Sequence, residues 1–217
     1  MSETTALGLS ARTGAVMVGF TVIFTAVMAY TYEATKTQIA ASASEEKMKL
    51  LTEVLPASAY DNPLLDDYVR LGPTSELGLD DGGRIYRARK AGQPVALLVE
   101  TVAPDGYSGR IELIVAVRAD GSLSGVRAVA HRETPGLGDY IDPKKDKNKK
   151  SPWIMQFGEL KAADIPACKV KKDGGQIAYH TGATISARAV TNAVARAARY
   201  AAEHQDRLFA ASSGGPL

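Results

Sequence analysis

Residues 13–32 (TGAVMVGFTVIFTAVMAYTY) run for twenty positions without a charged side chain, and nothing else in the chain limits its fold as much. Coiled into a helix, such a run is about 30 Å long, which matches the hydrocarbon thickness of a bilayer. Tyr30 and Tyr32 gather at one end, where amphipathic rings favour the membrane–water boundary. A cleaved secretory signal is the competing reading, with Ala41-Ser42-Ala43 as a small-residue site, but the run is longer than a usual signal core. The segment is therefore read as a transmembrane anchor behind a short polar tail, residues 1–12. Arg12 precedes the span while Lys36, Lys47 and Lys49 follow it, so the charge count does not favour a cytoplasmic N-terminus. Large domains translocate largely regardless of such counts.

Residues 33–56 read as a helical stalk that Pro56 ends. Residues 57–81 are turn-rich and acidic and read as solvated surface. Between 84 and 131 the pattern changes to short apolar alternations. Residues 84–89 and 94–102 form one expected hairpin around Lys90-Ala91-Gly92-Gln93; residues 110–118 and 126–131 form a second around Asp120-Gly121. Ile111, Leu113, Val115 and Val117 share one face at a period of two, giving one buried face and one less buried. Short connections between consecutive strands imply an antiparallel sheet. The fold class expected is α+β: a transmembrane helix, then an antiparallel-sheet domain over 57–217 with flanking helices.

With 26 Lys and Arg against 24 Asp and Glu the net charge is +2, which argues against nucleic acid as a partner. Cys168 is the single cysteine, so an internal disulfide, a cysteine-ligated cluster and a c-type haem are excluded. It reads as a small buried apolar residue. Three histidines make a structural zinc site a poor expectation, and no metal site is assigned. No Gly-x-Gly-x-x-Gly occurs, so nicotinamide binding in the dinucleotide manner is not expected. The basic run Lys144, Lys145, Lys147, Lys149 and Lys150 reads first as solvated surface, with partner or anionic-lipid docking as the minor alternative. Trp153, Ile154 and Phe157 read as core, and the tail from Ala210 to Leu217 as frayed.

Near the C-terminus, His180-Thr181-Gly182-Ala183-Thr184-Ile185-Ser186 leads into a run expected to be helical over 185–203. Ile185, Ala189, Val190, Ala193, Val194, Ala197, Ala198 and Ala201 recur at the helical period and form one apolar face. Asp173-Gly174-Gly175 reads as a turn into a strand at 176–179 that delivers the threonines. A turn entering a helix presents unpaired amides and the positive end of the dipole, a setting that suits phosphate. A threonine before a helix also serves commonly as a simple N-cap. Upstream, Glu133-Thr134-Pro135-Gly136-Leu137-Gly138 reads either as a Pro-Gly turn leaving a strand or as a loop shaped to let its backbone approach a planar ligand.

These two stretches, with Gly106-Tyr107-Ser108-Gly109 before them, resemble the FMN-binding domain of RnfG, the G-type component of the Rnf electron-transport complexes. The corresponding C-type component of the sodium-pumping NADH:quinone reductase is a relative and the alternative assignment. The resemblance implies one FMN per chain, linked through its phosphate to the hydroxyl of Thr184. Thr181, Gly182, Ala183 and Ser186 lie around the linkage. Glu133, Thr134, Gly136, Leu137 and Gly138 are implied to line the flavin, Glu133 and Thr134 through hydrogen bonds to the ring's edge. No residue is implied to be catalytic; the chain relays electrons as one component of an ion-translocating ferredoxin:NAD oxidoreductase. The implied partners are the other Rnf subunits, a flavin transferase during maturation, and membrane lipid. The implied location is the bacterial inner membrane, single-pass, with the domain on the periplasmic side. At Ala178 the sequence departs from the family, which often has Asp there, a residue thought to aid recognition by the flavin transferase. A non-redox anchored module that binds a phosphate ligand or scaffolds a complex is the reading outside this class.

Overall fold

A computed structural model describes residues 6–217. Helix α1 (Ala6–Val54) is continuous over 49 residues, so span and stalk are one helix and no break separates them. It is long and apolar enough to cross a membrane. Thr13, Thr21 and Thr31 turn their hydroxyls back onto the carbonyls of Leu9, Met17 and Val27 at 2.8–3.0 Å. Hydroxyls satisfied within their own helix place no unmet polar group in hydrocarbon. The chain divides into two units, residues 1–47 and residues 48–217.

Residues 48–217 are built on a five-stranded antiparallel meander. Its strands are β1 (Tyr68–Leu71), β2 (Gly83–Lys90), β3 (Gln93–Gly106), β4 (Gly109–Arg118) and β5 (Leu123–Ala130), paired in sequence order. Both faces are covered. Leu97 and Val99 on β3, with Leu113, Val115 and Val117 on β4, face the core that includes Val190, Val194 and Ala197 of helix α2 (Thr184–Ala210). The alternate positions Ala96, Leu98, Ile114 and Ala116 join Leu51, Val54 and Leu55 in a second core. The face expected to be less buried is therefore buried too, beneath the end of α1 and Leu64. Gly125 permits this contact, since a Cβ there would lie 2.9 Å from the Val54 carbonyl oxygen.

Four other expectations change. Residues 57–81 contain β1, and Asp67 beside it is not solvated surface: it accepts hydrogen bonds from Arg87 Nε at 2.7 Å and Arg89 Nε at 3.0 Å. The C-terminal tail is not frayed. It runs parallel to β1, with Arg70 N donating to Gly215 O and Leu217 N to Arg70 O, and so covers that strand's free edge. Residues 176–179 do not form a strand, only an isolated bridge between Val170 and Ile177. In α2 the buried stripe holds from Ala189 onward, but Ile185 is exposed and Ser186 takes the inward position of the first turn.

Arg87 locks the far end of α2. Only 2% exposed, it pairs with Asp67 and donates through Nη1 to the carbonyls of Leu208 and Ala211, which the helix itself leaves unpaired. Removing one partner from such a buried set costs roughly 3–5 kcal/mol. Arg87→Met should therefore lower the unfolding free energy of the detergent-solubilised chain, read from urea titrations, by an amount in that range; an unchanged value would show that the pair contributes nothing net.

Candidate functional site

Three loops at one end of the sheet converge on a single carboxylate. Glu133 is 3% exposed, yet both of its oxygens are engaged. Oε1 accepts the Ser108 amide of the β3–β4 turn at 2.9 Å. Oε2 accepts the hydroxyl of Ser186, itself buried in the first turn of α2, through a short hydrogen bond. The third loop is the carboxylate's own: Gly138 passes so close that a Cβ would lie 2.6 Å from Ser186 Oγ and 2.8 Å from Glu133 Oε2. Hydrogen bonds to a charged acceptor contribute about 1.5–3 kcal/mol each, against a net of about 1 for neutral pairs. This clasp ties both other loops to the one that carries the carboxylate.

The loop closes tightly on itself. Leu137 N and Gly138 N both donate to Thr134 O at 3.1 Å, and Gly136, at φ 76°, donates its amide to Asp139 Oδ1 at 2.8 Å. His131 Nδ1 accepts the Glu133 amide at 3.2 Å. Burial, followed by the charge of Lys145, holds the His131 imidazole below its ordinary pKa. It is thus neutral at physiological pH, the form in which Nδ1 accepts.

Tyr140 fixes the turn that precedes α2. Its hydroxyl donates to Ala183 O at 3.1 Å and accepts the His180 amide at 3.4 Å, and its ring stacks on His180 at 4.0 Å. Burial pushes its pKa up to about 12, so the hydroxyl keeps its proton. Residues 176–180 reach this turn with no regular strand, only the isolated Val170–Ile177 bridge. Side chains stand in for one: Gln156 Oε1 accepts the Ala178 amide at 2.8 Å, and Trp153 Nε1 donates to Ala178 O at 2.6 Å. Trp153, Ile154 and Phe157 are core residues as expected, and Cys168 is buried. The five lysines of the 143–150 loop are exposed, whereas Asp146 among them is buried and accepts the Trp153 amide at 2.6 Å.

Thr184 is the first residue of α2 and is half-buried. The N-cap is Ala183, and no side chain caps the helix, so neither Thr181 nor Thr184 is used as a conventional cap. The helix start thus keeps its amides for another acceptor. Gly182 adopts φ 90°, a left-handed conformation that other residues rarely take, and the space over it is open. Thr181 and Leu137 are exposed and Thr134 is half-buried. Glu133 and Ser186 are different. Each is buried against the other, and together the carboxylate and the hydroxyl hold the loops. Sequence reasoning missed Tyr140, Gln156 and this division of labour; Tyr140, two residues after Gly138, was the one available signal. Among the described residues no cluster of potential metal ligands occurs.

Comparison with known proteins supplies the family. Residues 106–199 match the FMN-binding domain, a segment that starts at the Ser108 turn and takes in all three clasped loops. Residues 9–54 match the RnfG N-terminal region. Proteins named as the G subunit of an ion-translocating oxidoreductase complex are similar over almost the whole chain. The one from Pseudoalteromonas atlantica is 40% identical over 94% of this chain and 93% of its own length. Those from Vibrio cholerae (39%; 91% and 92%) and Pseudomonas aeruginosa (42%; 88% and 88%) are alike. The chain belongs to the RnfG family. The expectation of RnfG, ahead of its counterpart in the quinone reductase, therefore stands, as does an FMN-binding domain behind an apolar N-terminal helix.

Two measurements follow from the clasp. Gly138→Ala should cost on the order of 1–3 kcal/mol through overpacking. The cost should shrink in a Ser186→Ala background, where the nearest obstructing atom is gone; equal costs in both backgrounds would place the conflict elsewhere. For His131, the folded-state pKa lies below the ordinary 6.5, so the unfolded chain takes up protons first as the pH falls. Stability should be full above 6.5 and decline as the pH drops from there toward the depressed value. His131→Gln should flatten that decline in urea titrations run at several pH values; an identical slope would remove His131 from the account.

Proposed function

We propose that this chain is a membrane-anchored flavoprotein subunit that relays electrons through one FMN esterified to Thr184, within an ion-translocating ferredoxin:NAD oxidoreductase. The observation that carries the reading is a half-buried hydroxyl at the uncapped start of a 27-residue helix, beside a glycine that leaves the surface open. A phosphodiester keeps one negative charge, and a helix N-terminus stabilises such a charge by about 0.3–1 kcal/mol, more where partly buried. Forming the link exchanges the Thr184 Oγ1–H bond for an Oγ1–P bond. It therefore needs a flavin donor whose phosphate already carries a leaving group, and a flavin transferase to act on it. Bound there, the flavin supplies reversible electron transfer. The chain's part is to hold it: Thr184 tethers, Thr181, Gly182 and Ala183 shape the turn, and Thr134, Gly136, Leu137 and Gly138 form the facing loop.

Other subunits would provide nicotinamide and ferredoxin chemistry. The 13–32 segment of α1 would be the anchor in the bacterial inner membrane, surrounded by lipid, with residues 57–217 as the flavin domain on the periplasmic side. Tethering suits a relay, because a centre that is bound covalently is not lost between turnovers. Thr184→Val tests this directly. Denatured wild-type protein from a host with a flavin transferase should give a fluorescent gel band and an intact mass increased by one flavin nucleotide. The variant should give neither. A dark wild-type band from a host shown to flavinylate other proteins would overturn the assignment and favour the non-redox module.

A further inference from the structure

Eight of the chain's 26 basic residues stand in two short runs, the five lysines between 143 and 150 and then Lys169, Lys171 and Lys172. The fold joins the runs. Lys171 N donates to Ile177 O at 2.8 Å and Ile177 N to Lys169 O at 3.0 Å. One residue on, Ala178 O accepts Trp153 Nε1, and the Trp153 amide donates to Asp146 Oδ2 inside the first run, each at 2.6 Å. All eight lysine side chains are exposed. Lys149 Nζ donates to the Lys144 carbonyl at 2.5 Å; the other seven make no hydrogen bond or ion pair among the described residues. Neighbouring carboxylates are engaged elsewhere. Both oxygens of Asp146 accept backbone amides, from Asn148 and Trp153, and Arg188 grips Asp173 at 2.6 and 2.8 Å. Like charges held this close repel, and a loop without the buried Asp146 anchor would spread them. A chain of net charge +2 therefore carries a concentrated positive patch in a fixed shape.

We propose that this patch is the docking surface for an acidic face of another protein subunit, whose aspartate and glutamate side chains pair with the lysines. Shape favours a protein over a lipid bilayer. Beside the lysines lies a cavity of about 330 Å³, lined in part by Asn148, Ser151, Met155, Gln156 and His180. A flat headgroup surface cannot fill it, whereas a protruding side chain can. Met155 is 49% exposed, so an apolar side chain sits among charged ones, as at the centre and rim of a protein interface. Membrane-docking surfaces instead carry exposed Trp, Tyr or Phe. Here Trp153 and Phe157 are buried and Tyr179 is half-buried. Complementary charge of this kind steers encounter and suppresses wrong partners, with a strength that falls as salt rises. The pairing is independent of the Thr184 linkage.

The test uses a tagged full-length chain in membranes of its native host, treated with a carbodiimide, which joins a lysine amine only to a carboxylate in contact with it. Mass spectrometry should find amide links from lysines of the two runs to Asp or Glu of another subunit, and high salt added beforehand should reduce them several-fold. Combining Lys144→Gln, Lys145→Gln, Lys147→Gln and Lys150→Gln should lower the salt concentration at which that subunit is lost on purification. Arginine at the same four positions should keep the wild-type salt tolerance while removing their links, because a guanidinium keeps the charge but does not react. The patch is not a docking surface if links form elsewhere in the assembly but none leaves these lysines, or if the glutamine variant keeps its partner at the same salt as wild type. Lysines protected from acetylation in nanodiscs of phosphatidylglycerol but not phosphatidylcholine, without any link to protein, would overturn the protein partner and assign the patch to lipid. Intact mass reads the flavin adduct separately, so neither failure bears on Thr184.

Discussion

The architecture around Thr184 depends on one buried carboxylate. Glu133 is costly to bury unless each oxygen is paired, and each is, by an amide from one loop and a hydroxyl from another. The pairing makes the cost of burial into a constraint, because separating any loop leaves a charge or a donor unsatisfied away from water. Gly138 is the steric counterpart, a residue with no side chain where Ser186 and Glu133 leave no room for one. Together they set where the start of α2 lies relative to the sheet's end.

Around that constraint the rest of the domain is a rigid support. The sheet is buried on both faces, so its strand ends cannot tilt without disturbing two cores. Helix α2 is fastened at both ends, by Ser186 at its start and by Arg87 and Arg89 at its finish. The segment that leads into it is held by Trp153, Gln156 and Tyr140 through side chains. The start of α2 and the open space over Gly182 lie together on this support.

Much of this was legible in the sequence wherever a local rule decided it. Period-two alternation gave four of the five strands, and an Ala-rich period of 3.6 gave α2. A charge-free run gave the membrane-length part of α1. The failures have physical causes. The four residues of β1 are too few to show alternation, and the strand is defined by its partner and by the returning tail. Residues 176–179 form no strand: Ile177 bonds to the backbone of Lys169 and Lys171, while both backbone groups of Ala178 go to side chains more than twenty positions away, a pairing no local pattern records. Helix α2 continues past 203 because Leu208 is buried, which tertiary packing decides. Glu133 and Ser186 were marked by resemblance, yet their roles turn on a contact across 53 positions of sequence.

Amide hydrogen exchange on the full-length chain tests the clasp most directly. With Glu133→Ala, exchange should rise together in the Gly106–Gly109 turn, in residues 134–138 and in the first turn of α2, while the β1–β2 pairing stays protected. If protection falls only in residues 134–138, the other two loops are held by something else, and the carboxylate does not organise the site.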